Sequence, residues 1–168
     1  MSIGGSDTFE DAATRRVAST FGDIDLQALR ASFNLVRLAT LHVARLESLV
    51  HRPAGWSMAG FRVMFCVWVA EELEPRDIAH FSGLSRAAVS SVLNTLERDG
   101  LVERHRESAD RRLVTVRLTR VGASRLEAAY RAENDVERSF FAPLSRQELT
   151  QFSQVMARLL RARPDDRR

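Results

Sequence analysis

Two neighbouring stretches of the chain carry side chains suited to one kind of chemistry. Wound as a helix at about 100° per residue, residues 85–98 place Arg86, Ala87, Ser90, Ser91, Asn94 and Arg98 on one arc of roughly 140°. Val89, Val92, Leu93 and Leu96 fall opposite, and Ser85 sits where a helix N-cap belongs. Short hydrogen-bonding residues with an arginine near each end make a face slim enough for the roughly 12 Å major groove of DNA. An ordinary surface helix would carry longer glutamate or lysine side chains there. The second stretch, residues 104–120, holds Arg104, Arg106, Arg111, Arg112, Arg117 and Arg120 against only Glu107 and Asp110. That is more positive charge than the +3 of the whole chain. All 25 basic residues are arginine. Genomic base composition accounts for the bias, yet a guanidinium still offers a planar fork of donors suited to phosphates and base edges.

The elements that must position these groups can be read around them. Pro75 opens a short helix to about residue 81, Ser82-Gly83 makes a turn, and Gly100 ends the next helix with Leu101 folding back. Residues 101–105 and 113–118 read as two strands, with Val114, Val116 and Leu118 alternating inward and Arg117 and the tip outward. Asp110 fixes the tip by an Asx-type turn or an ion pair, and Arg111 and Arg112 reach for phosphates or the narrow minor groove. Upstream, Asp23 or Asp25 caps a helix to about residue 50. "HRPAG" (51–55) is a break, and Ser57 caps an all-round apolar helix to about Leu73. Downstream, Thr119 caps a helix to about Phe141, and Ser145 with Glu148 forms a capping box for a last helix to about Leu160. The outer helices are too long for their own core. Leu26, Leu29 and Phe33 at one end, and Leu149, Phe152 and Met156 at the other, are expected to face another chain.

Other chemistries are poorly served. The four histidines have no ligand spacing, and Cys66 lies mid-helix among apolar residues, so neither a metal nor a cofactor is expected. There is no phosphate loop, nucleophile elbow or paired carboxylate, which argues against an enzyme. The longest apolar run, 63–70, is far short of a membrane span, and no signal peptide is evident, so a cytoplasmic location without a membrane partner is expected. Phe61, Phe65 and Trp68, with Phe33 and Arg37 opposite, are candidates for an effector pocket, although an aromatic stripe at this spacing is more often core. Two alternatives stay open. One is a winged helix used as a protein-interaction module, which would not need an arginine tip; the other is a redox switch on Cys66.

The stretch "LSRAAVSSVLNTLERDGLVERHRESADRRLVTVRLTRVG" (84–122) resembles the MarR family of bacterial winged-helix regulators. Leu96-Glu97, Gly100 to Val102, Arg104, Asp110, Arg112, Val116, Leu118-Thr119 and Gly122 match its pattern, and the helix order agrees over about residues 24–160. The resemblance implies a mostly α fold with a small two- to three-stranded β wing, a winged helix–turn–helix flanked by N- and C-terminal dimerisation helices. On that reading residues 23–56 are a dimerisation helix, 57–120 the DNA-binding domain, 121–162 the C-terminal dimerisation helices and 163–168 a tail; residues 1–22, Gly-, Ser- and Asp-rich and then weakly periodic, are expected to be a flexible segment with at most a short helix. It further implies a homodimer on a pseudo-palindromic site in double-stranded DNA, and repression relieved by a small phenolic or anionic ligand.

Overall fold

The structure, a computed structural model, describes residues 6–106 and 114–162. The chain forms two compact units, residues 1–45 and 46–168. In the first, α1 (Ser6–Thr20) and α2 (Leu26–Leu46) are tied together side by side. Asp25 caps α2, its Oδ1 accepting from the amides of Gln27 and Ala28 at 2.9 and 3.0 Å. Phe9 of α1 stacks on Phe33 at 5.9 Å, and Arg30 donates to Asp11 at 3.0 Å. The short helix allowed for within 1–22 is a 15-residue one, longer than the composition suggests. Its weak periodicity hid it, because its partners lie about 20 positions downstream.

The break expected at "HRPAG" comes at its last residue, Gly55. The helical path continues through a π-helical turn (Glu47–His51) into a single turn α3 (Arg52–Ala54) and stops at Gly55, whose φ is +88°. Pro53 lies in this final turn, where it adds no backbone donor to the continuous helical path and precedes its end at Gly55. Next comes α4 (Met58–Ala70), doubly capped: Ser57 Oγ accepts from Gly60 N at 3.1 Å, and Glu47 accepts from Met58 N at 2.6 Å.

Helix α4 does not reach Leu73 as expected. Glu71 adopts φ +63°, and the chain leaves the helix to form β1 (Glu72–Leu73). After α5 (Pro75–Ser82) and α6 (Arg86–Arg98) come β2 (Val102–Arg106) and β3 (Val114–Leu118), which pair antiparallel with β1 in the order β1-β3-β2. Glu72 stands opposite Arg117, and its carboxylate accepts from both Arg117 and Thr115, which holds its carboxyl below the usual carboxylate range. Strand β1 is thus recruited by an ion pair whose other half lies 45 residues away, a signal that helical periodicity cannot carry.

The chain then enters α7 (Arg120–Phe141), capped by Thr119, and ends in α8 (Arg146–Arg161), where both halves of the Ser145–Glu148 capping box form. The core of this unit gathers Val63, Met64 and Val67 of α4, Ile78 of α5, Val89, Leu93 and Leu96 of α6, Val116 of β3 and Leu126 of α7. Gly122 lets α7 start hard against the β2 root, since a Cβ there would stand 1.9 Å from the carbonyl oxygen of Leu101.

Candidate nucleic-acid interface

The candidate surface is built on α6, and the turn before it is held from behind. Gly83, at φ +66°, ends α5, and the Arg62 guanidinium of α4 donates to the carbonyl of Ser82 at that helix end. Ser82 is itself buried and its hydroxyl accepts from Leu84 N at 3.4 Å. Ser85 Oγ then accepts from Ala88 N at 3.1 Å, so α6 begins at a defined residue. At its far end Gly100, at φ +69°, donates to Glu97 O and Leu101 donates to Leu96 O at 2.8 Å. This is a Schellman closure with Leu101 packed into the core. The three buried residues Val89, Leu93 and Leu96 fix the rotation of the helix about its axis.

That rotation leaves Ser85, Arg86, Ala87, Ser90, Ser91, Asn94 and Arg98 all exposed. Arg86 has no side-chain partner among the described residues, whereas Arg98 leans on Asp99 at 3.3 Å. Arg104 is differently placed from a free phosphate contact. From β2 its Nη1 bonds Glu97 Oε2 at 2.5 Å and its Nη2 donates to Asn94 Oδ1 at 2.8 Å. It braces the strand against α6.

Strands β2 and β3 pair from Val102↔Leu118 to Arg106↔Val114. Val116 is fully buried beneath them and Val114 and Leu118 half-buried, as the alternation predicts, while exposed Arg117 is engaged with Glu72. Residues 107–113, which join the strands and include Asp110, Arg111 and Arg112, lie outside the described residues.

Known proteins share both this architecture and its sequence pattern. The MarR family model matches residues 56–114, from the buried Trp56 through the first residue of β3. YwaE, an HTH-type transcriptional regulator of Bacillus subtilis, is 30% identical over 143 residues, covering 85% of this chain and 81% of YwaE. The chain belongs to the MarR family. It is a DNA-binding transcriptional regulator with a winged helix–turn–helix. Two solved structures share its fold. A cysteine-to-serine variant of MarR from E. coli, complexed with operator DNA, superposes with a TM-score of 0.73 at 20% identity over 82% of this chain and 99% of that one. BpsR of Bordetella bronchiseptica, whose DNA binding is regulated by 6-hydroxynicotinic acid, gives 0.72 at 22% identity over 77% and 98%.

This MarR-family chain also carries a groove between α4 and α7, of about 340 Å³, lined by Phe65, Trp68, Leu126, Glu127, Tyr130 and Arg131. Phe65 stacks on Tyr130 at 5.5 Å and lies 6.0 Å from Trp68, whose indole donates to Glu127 at 3.2 Å. Of the aromatic residues singled out from sequence, Phe65 and Trp68 line the groove. Phe61 is instead buried in the core, stacked between His51 and Phe65. Phe33 and Arg37 belong to the first unit, where the Arg37 guanidinium lies 5.3 Å from the Phe33 ring centre. Sequence reasoning missed the contribution of α7, because residues about 60 positions from α4 share no local pattern with it. It missed Arg62 for the same reason. Cys66 is half-buried and burial pushes its thiol up, away from the thiolate that redox chemistry needs. Among the described residues no cluster of His, Cys, Asp or Glu is arranged to hold a metal, and no helix is long and apolar enough to cross a membrane.

Proposed function

We propose that the chain acts as a homodimeric repressor on a pseudo-palindromic operator, released when a small aromatic or anionic effector fills the α4–α7 groove. The observation that carries this reading is the exposed face of α6: seven short or arginine-bearing residues turned outward by a helix whose rotation the core fixes. Each α6 enters a major groove, and Arg106, Arg111 and Arg112 of the wing engage the neighbouring phosphates and minor groove.

Support for the dimer comes from the apolar side chains that α2 and α8 leave uncovered, among them Val36 at 63% exposure, Leu159 at 61% and Leu160 at 73%. Leu26, Leu29, Phe33, Leu149, Phe152 and Met156 flank these on the same two helices, although Phe33 already stacks on Phe9. A two-fold pairing of protomers matches a two-fold operator. Support for the effector comes from the groove lining, where three aromatic residues are joined by Arg131, a set suited to a flat anion.

The test begins with selecting duplexes from a random pool and measuring affinity against salt. Arg112→Ala is expected to weaken binding and to lower the slope of log K on log salt by about one, the share of a single phosphate. Unchanged affinity with an unchanged slope would remove the wing from the interface.

A further inference from the structure

We infer that Arg104 and Glu97 lock the amide of Asn94 so that only its nitrogen faces the DNA, making this position a reader of base acceptors. The inference rests on the proposed entry of α6 into the major groove. Asparagine and glutamine usually read adenine with both ends of the amide, the oxygen accepting from the N6 amine and the nitrogen donating to N7. A free asparagine can present either end. Asn94 is not free in this respect. Its neighbour at 2.8 Å is a guanidinium nitrogen of Arg104, and a guanidinium has donors only, so the atom facing it must be the amide oxygen.

Arg104 is itself fixed. Its other terminal nitrogen bonds Glu97 at 2.5 Å, its side chain is 27% exposed, and it projects from β2, whose ladder with β3 sets its position. Glu97 stands three residues beyond Asn94, so both lie along one edge of α6 and one guanidinium bridges them. The chain Glu97–Arg104–Asn94 therefore decides the polarity of an exposed side chain in the middle of the reading face.

The consequence is chemical selection. The Asn94 nitrogen offers two hydrogens to the groove. Guanine presents two adjacent acceptors, O6 and N7, and thymine presents O4. Adenine keeps N7 alone, because an amide oxygen turned toward Arg104 on β2 cannot also lie in the plane that reaches the adenine amine, and the cytosine amine meets a donor with a donor. The base pair under Asn94 is thus expected to show guanine favoured over adenine. Arg104 is a positioning residue here, acting through Asn94 rather than on the base.

The experiment is selection from randomised duplexes with the full-length wild-type chain and three variants, each first checked for native helix content. Wild type should enrich guanine over adenine at one position in each half-site. Asn94→Ala should flatten that position alone. Arg104→Met should free the amide to turn and should shift the same position toward adenine by at least about fivefold relative to guanine, the low end of what a bidentate pair discriminates. Arg104→Lys, which keeps one donor on Asn94, should retain most of the wild-type preference. A purely structural role for Arg104 would lower affinity for every sequence alike and leave the preference unmoved, and that result would overturn the inference. If Asn94→Ala alters one position but Arg104→Met leaves its guanine preference intact, the reading helix stands and the lock falls. If Asn94→Ala changes no position at all, both the lock and the place of Asn94 in the reading face are overturned.

Discussion

Exchanging Glu133 for glutamine should expose a dependence of stability on pH that the native chain partly conceals. Glu133 of α7 is 5% exposed and His51 of the π-helical turn fully buried, with Nε2 and Oε2 at 3.9 Å. Among the described residues neither imidazole nitrogen nor Glu133 Oε2 has a hydrogen-bond partner. Burial, helped by the charge of Glu137, pushes the Glu133 carboxyl from 4.5 up to about 7. Burial also lowers His51 from its ordinary 6.5, with Glu47 opposing in part. Near pH 5.5, roughly midway between these ordinary values, the folded Glu133 thus keeps its proton, while burial works against one on His51. The unfolded pair holds one proton, on His51. Stability changes with pH only through the difference in protons bound, so the two contributions oppose one another and offset in part in the native chain.

Each single substitution removes one side of that partial cancellation. In Glu133→Gln the remaining group is His51, which binds its proton more tightly when unfolded; stability should fall away as pH drops below about 6.5. In His51→Gln the remaining group is Glu133, whose raised pKa stabilises the folded chain most fully below 4.5; stability should decline as pH rises from there through about 7. At about 1.4 kcal/mol per tenfold in proton affinity, the second decline is on the order of 3 kcal/mol. Urea unfolding at one protein concentration, at pH steps from about 4.5 to about 8, reads these slopes directly. Profiles in which His51→Gln declines with rising pH no more steeply than wild type, or in which the two variants slope the same way, would refute the assignment of opposed buried groups.

Three further expectations concern other parts of the fold. Gly122→Ala would ordinarily stabilise a helix, but here the new Cβ would stand 1.9 Å from Leu101 O and 2.8 Å from its carbonyl carbon. Backbone cannot give way as a side chain does, so a destabilisation of about 3 kcal/mol or more is expected in thermal or urea unfolding, and a neutral or stabilising result would contradict the packing described. Leu159→Glu places a charge on a side chain 61% exposed within one chain, so helix content should survive while light scattering reports the 18.9 kDa monomer; a persistent dimer would clear α8 of the interface. Cys66→Ser should leave DNA binding after peroxide treatment the same as in the wild type, and a difference would revive the redox alternative.

Much of the reading surface is legible in the sequence because its determinants are local. Ser85, Gly100, Thr119 and the Ser145–Glu148 pair each act within about four residues, and each terminates or starts a helix where expected. The apolar repeat of Val89, Leu93 and Leu96 likewise fixes which residues of α6 turn outward. What the sequence left open depends on partners brought together from afar. Helix α1 needs Phe33 and Arg30 to show itself, and β1 needs Arg117 and Thr115. The aromatic groove needs α4 and α7 side by side, and the opposed shifts of His51 and Glu133 need both groups buried in one place. The face of Asn94 is the sharpest case. Its type and its exposure follow from position along one helix, but which end of its amide is engaged and which stays open is set by an arginine on a strand ten residues away. Periodicity specifies the direction of a side chain; only tertiary contact specifies the polarity and protonation it presents, because those depend on neighbouring charge and the exclusion of water rather than on the backbone.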